Sequence, residues 1–207
     1  MTFISIGSSC NVKYQITKCI QSQETYFFDW IGTDMDTVNI LFQQRDNIHD
    51  YFNLHNIIKH SITKDNHSKI VIQNLPKCVS IHDLKAQYSS QDLELFIHKY
   101  ISRFNRIIKL IQKTNKPLYF IRYGKINEEQ KIAFIKTILE INKYCPFILV
   151  SINIEQLTNN ICIDKHYLEM NFTTQKEPND WTTSFLDWNY IFTTILETTI
   201  FETTISL

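Results

Sequence analysis

The sequence predicts a single α/β domain built on a mostly parallel sheet flanked by helices, with an antiparallel hairpin inserted. Three observations point to it. First, two nearly continuous apolar runs, "LYFIRY" (118–123) and "PFILVSIN" (146–153), flank a helical stretch over 127–143. Strands without alternation are buried on both faces, and a helix between two of them makes a parallel crossover. Second, "FISIGSSCNVKYQI", from Phe3 to Ile16, reads as a strand, a sharp turn at Gly7 and the start of a helix. Third, "IIKHSITKDNHSKIVIQNL" (57–75) carries two alternating runs around a polar "KDNH" turn, the pattern of a hairpin.

The remaining elements follow in order. Ser8 and Ser9 are expected to cap a helix that begins near Cys10 or Asn11 and presents Val12, Ile16, Cys19 and Ile20 on one face. "ETYFFDWIGT" (24–33) reads as a buried aromatic loop leading into a helix from Asp36. Val38, Ile40, Leu41, Ile48 and Phe52 make 36–54 broadly helical. Beyond the hairpin, Pro76 and Lys77 separate a further strand, "CVSIHD" (78–83). Leu93, Phe96, Ile97, Tyr100, Ile101, Phe104, Ile107, Ile108 and Ile111 follow the helical period through 90–113, and Pro117 ends that run. "KHYLEMNF" (165–172) adds a strand, and polar residues 173–181, with Pro178, read as a loop. Phe185, Trp188, Ile191, Phe192, Ile195 and Leu196 predict a terminal helix from Ser184. No linker divides the chain, so 1–207 is read as one domain.

Composition narrows the function. The 207 residues are 43% hydrophobic, which is enough for a sizeable core. Lys plus Arg and Asp plus Glu balance at 21 each, which gives no electrostatic reason to expect nucleic acid or a membrane surface as partner. No run reaches the roughly 18 apolar residues of a spanning helix. Lys13 and Lys18 interrupt any secretory signal, so a cytoplasmic protein is expected. Abundant Ile, Asn, Lys and Thr with scarce Ala suggest an AT-rich genome, viral or bacterial. The five cysteines (Cys10, Cys19, Cys78, Cys145, Cys162) form no CxxC pair, and His49, His55, His60, His67, His98 and His166 show no metal spacing. GxGxxG, GxxxxGK[ST] and HExxH are absent, so no cofactor is expected.

Four sets of residues can carry chemistry. Cys10 stands where a strand turns into a helix. The helix dipole and unpaired N–H groups there favour a thiolate, and amides near Ser9 to Asn11 suit an oxyanion. The plainer reading is a small packed residue. His82 ends a strand in "VSIHDL" and supplies an imidazole; Asp83 beside it points to the opposite face unless the chain turns. Asp29 and Trp30 lie in "YFFDWIG", where a carboxylate among aromatic rings needs a partner: His82, an arginine or backbone amides. Arg122, at the end of "LYFI", either pairs with a buried carboxylate or grips an anionic substrate group, and Arg103 and Arg106 stand three apart on one helix.

Together, "ISIGSSCNVKYQI", "YFFDWIG", "IHDL", "KYISRFNRI" and "LYFIRY", in this order over residues 4–123, resemble a family of papain-like cysteine peptidases, a domain of unknown function in bacteria and large DNA viruses. The resemblance implies that Cys10 and the His82–Asp83 pair form the catalytic centre and that "FDW" and the arginine helix belong to the core. It also implies an alternative, papain-like α+β fold with an antiparallel sheet. Phe28 stands where the family often has proline before Asp-Trp. The expected reaction is thiol hydrolysis or acyl transfer on a peptide or acyl substrate. Cys10 attacks, His82 moves the proton, and Asp83 or Asp29 orients the imidazole; Ser9, Asn11, Trp30 and Arg122 lie on the substrate side. Two rival readings are a non-enzymatic interaction module on a hydrolase-like scaffold and a sugar- or nucleotide-handling transferase.

Overall fold

The computed structural model describes residues 1–155, 159–173 and 180–205, from 199 onward as backbone alone. Its larger sheet has the order β1 (Thr2–Ser5), β6 (Leu118–Tyr123), β7 (Phe147–Glu155), β9 (Tyr167–Thr173) and β8 (Asn160–Asp164). The pairings β1–β6, β6–β7 and β7–β9 are parallel, and only β8 runs antiparallel. The parallel reading therefore describes this sheet. A second, wholly antiparallel sheet has the order β2 (Ile31–Thr33), β5 (Cys78–Ser80), β4 (Ser68–Ile72) and β3 (Ile57–Ile62).

The apolar runs of β6 and β7 are buried on both faces, as their lack of alternation requires. On one face Leu118, Phe120, Phe147 and Leu149 meet α2 (Met35–Gln43), α4 (Ser90–Lys113) and α5 (Glu128–Ile141). Phe42 of α2 is the hub there, with its ring against those of Phe28, Phe104, Phe120 and Phe134. On the other face Tyr119, Ile121, Ile148, Val150 and Ile152 meet α1 (Asn11–Gln15), the π turn Ile16–Ile20 and α6 (Trp188–Ile205). Ser89 and Asp92 cap α4 reciprocally, and Asn127 and Gln130 cap α5 in the same way.

Several boundaries differ from expectation. Ser8 and Ser9 do not cap α1: Cys10 itself holds the N-cap position, and Ser8 is left-handed at φ 75°. The helical stretch expected over 36–54 breaks after Gln43 into a 3₁₀ turn, Arg45–Asn47, and a short α3 (Ile48–Tyr51). Asp34 starts α2 by accepting the Thr37 N–H at 2.8 Å. The expected hairpin is β3–β4, and β5 and the three-residue β2 extend it into a full sheet. Most of the expected loop 173–181 lies outside the described residues.

Candidate active site

Elementary geometry places Cys10 at the carboxyl edge of the parallel sheet. β1 ends at Ser5, Ile6 continues the ladder by donating its N–H to Ile121 O (2.9 Å), and the chain then turns sharply. Gly7 and Ser8 both have positive φ, 83° and 75°. A side chain at Gly7 is disfavoured on two counts: the left-handed backbone strains it, and a Cβ would stand 1.8 Å from Thr33 Oγ1, which would have to move. Ser8 N–H donates to Thr33 O at 3.0 Å. Beyond this turn Cys10 and Ser9 are half-buried, while Asn11 is buried with its Oδ1 accepting the Val12 N–H (2.8 Å).

Burial pushes the Cys10 thiol above its ordinary value, and its own backbone N–H opposes this only in part. The expected thiolate is therefore not the resting state. A five-residue helix followed by a π turn offers a weak dipole, and desolvation prevails. Among the cysteines, Cys78 and Cys145 are buried, Cys19 is half-buried and Cys162 is exposed; all are free thiols.

His82 is exposed, just past β5. Its ring lies 6.5 Å from that of His67, edge to face. Asp83 does not meet it. The Asp83 carboxylate accepts from Ser80 Oγ (2.5 Å), Tyr100 OH (2.6 Å) and the Lys99 ammonium; burial works to raise its pKa, and these donors outweigh burial and hold the pKa below the usual carboxylate range. This fastens the segment 80–83 to α4. Beside Asp83 lies a cavity of about 500 Å³, lined among others by Leu84, Tyr88, Phe96 and Lys99.

Asp29 is buried in the 3₁₀ turn Phe27–Trp30, where Oδ2 accepts the Tyr26 N–H at 2.7 Å and lies 3.8 Å from the Lys13 ammonium of α1. Burial pushes its carboxyl up to about 6, against the pull of the Tyr26 amide, Lys13 and Arg103. It too is engaged away from His82, and it ties the aromatic turn to the helix that follows Cys10. Trp30 is half-buried at the end of that turn. Arg122 is buried, and its two terminal nitrogens donate to Ile6 O and Thr33 O, each at 3.1 Å.

The fold thus brings Cys10, Gly7, Thr33 and Arg122 to one edge and joins Lys13 to Asp29. Among the described residues no hydrogen bond links Cys10 to His82, or His82 to either aspartate. Sequence reasoning missed Lys99, Tyr100 and His67. Tyr100 sits on the apolar face of the clearest helix, so its pattern signals packing and its hydroxyl leaves no trace. No group of three or more His, Cys, Asp or Glu side chains stands together to hold a metal among the described residues, and no helix there is long and apolar enough to cross a membrane.

Comparison with known proteins agrees with the sequence resemblance. The family described as "Putative papain-like cysteine peptidase" matches residues 1–157. "Uncharacterized protein R408" of Acanthamoeba polyphaga mimivirus is 28% identical over 169 residues, spanning 71% of this chain and 75% of that one. No solved structure matches. The matched range runs from β1 to the end of β7 and includes Cys10 and His82, and the chain belongs to the family described as "Putative papain-like cysteine peptidase".

Proposed function

We propose that this chain is a cysteine hydrolase or acyl transferase acting on a peptide or related acyl bond, with Cys10 as nucleophile and His82 as general base. The observation that carries the reading is the placement of Cys10: a half-buried residue just past the left-handed Gly7–Ser8 turn at the carboxyl edge of a parallel sheet, where ligands of such sheets gather. Family membership supports the same reaction class.

In the proposed reaction the Cys10 proton passes to the His82 imidazole, and the sulfur attacks the carbonyl carbon. The amides of Ser9 to Asn11 receive the oxyanion. The imidazolium then protonates the leaving group as its bond to carbon breaks, and water, deprotonated by the imidazole, releases the acyl group from sulfur. Because the resting thiol is protonated, the base has to engage after substrate arrives; His82 is exposed, and its approach to Cys10 requires the 80–83 segment to shift from its anchorage on α4. Asp83 and Asp29 serve as positioning residues through the main chain: one anchors the His82 segment to α4, the other anchors α1. Trp30 borders the substrate side, while the buried Arg122 commits both terminal nitrogens to Ile6 O and Thr33 O; the viral relative fits a host-cell setting.

The test is hydrolysis of p-nitrophenyl acetate and of a mixed peptide library. Cys10→Ala abolishes turnover, and His82→Ala lowers it by about 10²–10⁴. Unchanged turnover in Cys10→Ala overturns the proposal.

A further inference from the structure

We propose that Arg122 is a positioning residue that acts on Cys10 through the backbone, holding closed the left-handed turn on which the cysteine is mounted. This rests on the reading of Cys10 as nucleophile for its significance, and on geometry for its content. Arg122 is 7% exposed, and its fork spans two chains: Nη1 donates to Ile6 O, the last residue before the turn, and Nη2 donates to Thr33 O at the end of β2. Thr33 O also accepts the Ser8 N–H, from within the turn. The path from Ile6 O through the guanidinium to Thr33 O and back to Ser8 N–H is therefore a closed ring of hydrogen bonds, with Gly7 enclosed in it.

Among the described residues, Arg122 is the side chain that bonds to both Ile6 O and Thr33 O. The residue enclosed by the ring has no side chain to lock it, and the Cβ-free contact with Thr33 leaves only backbone polar groups to fix the turn. The adjoining loop passes beside the turn: Gly124 has φ 118°, a conformation that favours glycine, and lies next to the Ser8 side chain. A planar guanidinium reaches two carbonyls at fixed separation, whereas an ammonium is a point donor. The same clamp ties the parallel sheet to the antiparallel one, since Ile6 follows β1 and Thr33 belongs to β2. Both terminal nitrogens are turned toward carbonyls, so Arg122 reaches Cys10 by way of the turn.

The experiment compares wild type with Arg122→Lys and Arg122→Ala. Iodoacetamide capture of Cys10 is followed from about pH 6 to 9 by peptide mass mapping, with exposed Cys162 as the reference in the same molecule, alongside thermal melting and hydrogen exchange at the Ser8 amide. In both variants the Cys10-to-Cys162 rate ratio is expected to change by about fivefold or more, and Ser8 exchange to accelerate, while amides of β4 stay protected. A merely structural arginine lowers the melting temperature and leaves the ratio and the Ser8 amide unmoved, and that result overturns the proposal. Should neither variant fold, the wild-type guanidinium decides: separate, slowly exchanging Arg122 Nη proton resonances support the clamp, and a single averaged signal from a freely rotating guanidinium refutes it. No substrate is needed, so the outcome is separable from that of the hydrolysis test.

Discussion

At Cys10 the loss of water around the sulfur outweighs the pull of its own amide, so the thiol rests protonated near neutral pH. An activated thiol would outrun its neighbours with iodoacetamide; this resting one is expected to follow exposed Cys162, with Cys78 and Cys145 slowest, as peptide mass mapping will show. Asp29 shows the same physics, with a consequence for stability in the acid range. Its folded value is about 6 against roughly 3.9 unfolded, so the folded chain binds more protons between those values. Stability contributed by this group falls as pH rises through that window, by up to about 3 kcal/mol at pH 7. Asp29→Asn is expected to flatten that slope in urea melts between pH 4 and 7, and an unchanged slope contradicts the account. Asp83 has the reverse sign: its lowered value adds stability above the unfolded value that is lost as pH falls below it. The acidic residues were legible in the sequence as groups in need of partners. Which partners they find was not, because Lys99 and Tyr100 are about 16 residues from Asp83 along the chain and meet it only once α4 is docked.

Helix α4 was legible because its apolar residues keep the helical period up to Pro117, and α5 because it lies between two apolar strands; their reciprocal caps, Ser89 with Asp92 and Asn127 with Gln130, emerge in the structure. Strand β8 was not, since all five of its residues are exposed and give no burial signal, and β2 is three residues long. At this scale α2 is joined to the sheet through Phe42, and Phe42→Ala is expected to cost about 3–5 kcal/mol in chemical denaturation. Tyr100→Phe removes one donor from Asp83 and keeps the ring, so a smaller loss of about 1–2 kcal/mol is expected, together with faster hydrogen exchange across 80–83.

Across the whole molecule, the parallel sheet, the antiparallel sheet and the turn that carries Cys10 converge at Ile6, Thr33 and Arg122. The parallel core was readable from the sequence, since its central strands β6 and β7 are nearly continuous apolar runs around a helix. The convergence was not, because it is made by backbone carbonyls and a lone arginine, which have no periodicity. The account stands on Cys10 forming the covalent bond to an acyl group. Its most direct test is to react the wild-type chain with p-nitrophenyl acetate, quench in acid at successive times and map the acetyl group. An acetyl thioester at Cys10 that forms and then decays as acetate is released is the outcome predicted; acetylation confined to Cys162 and surface lysines, with Cys10 unmodified throughout, contradicts it.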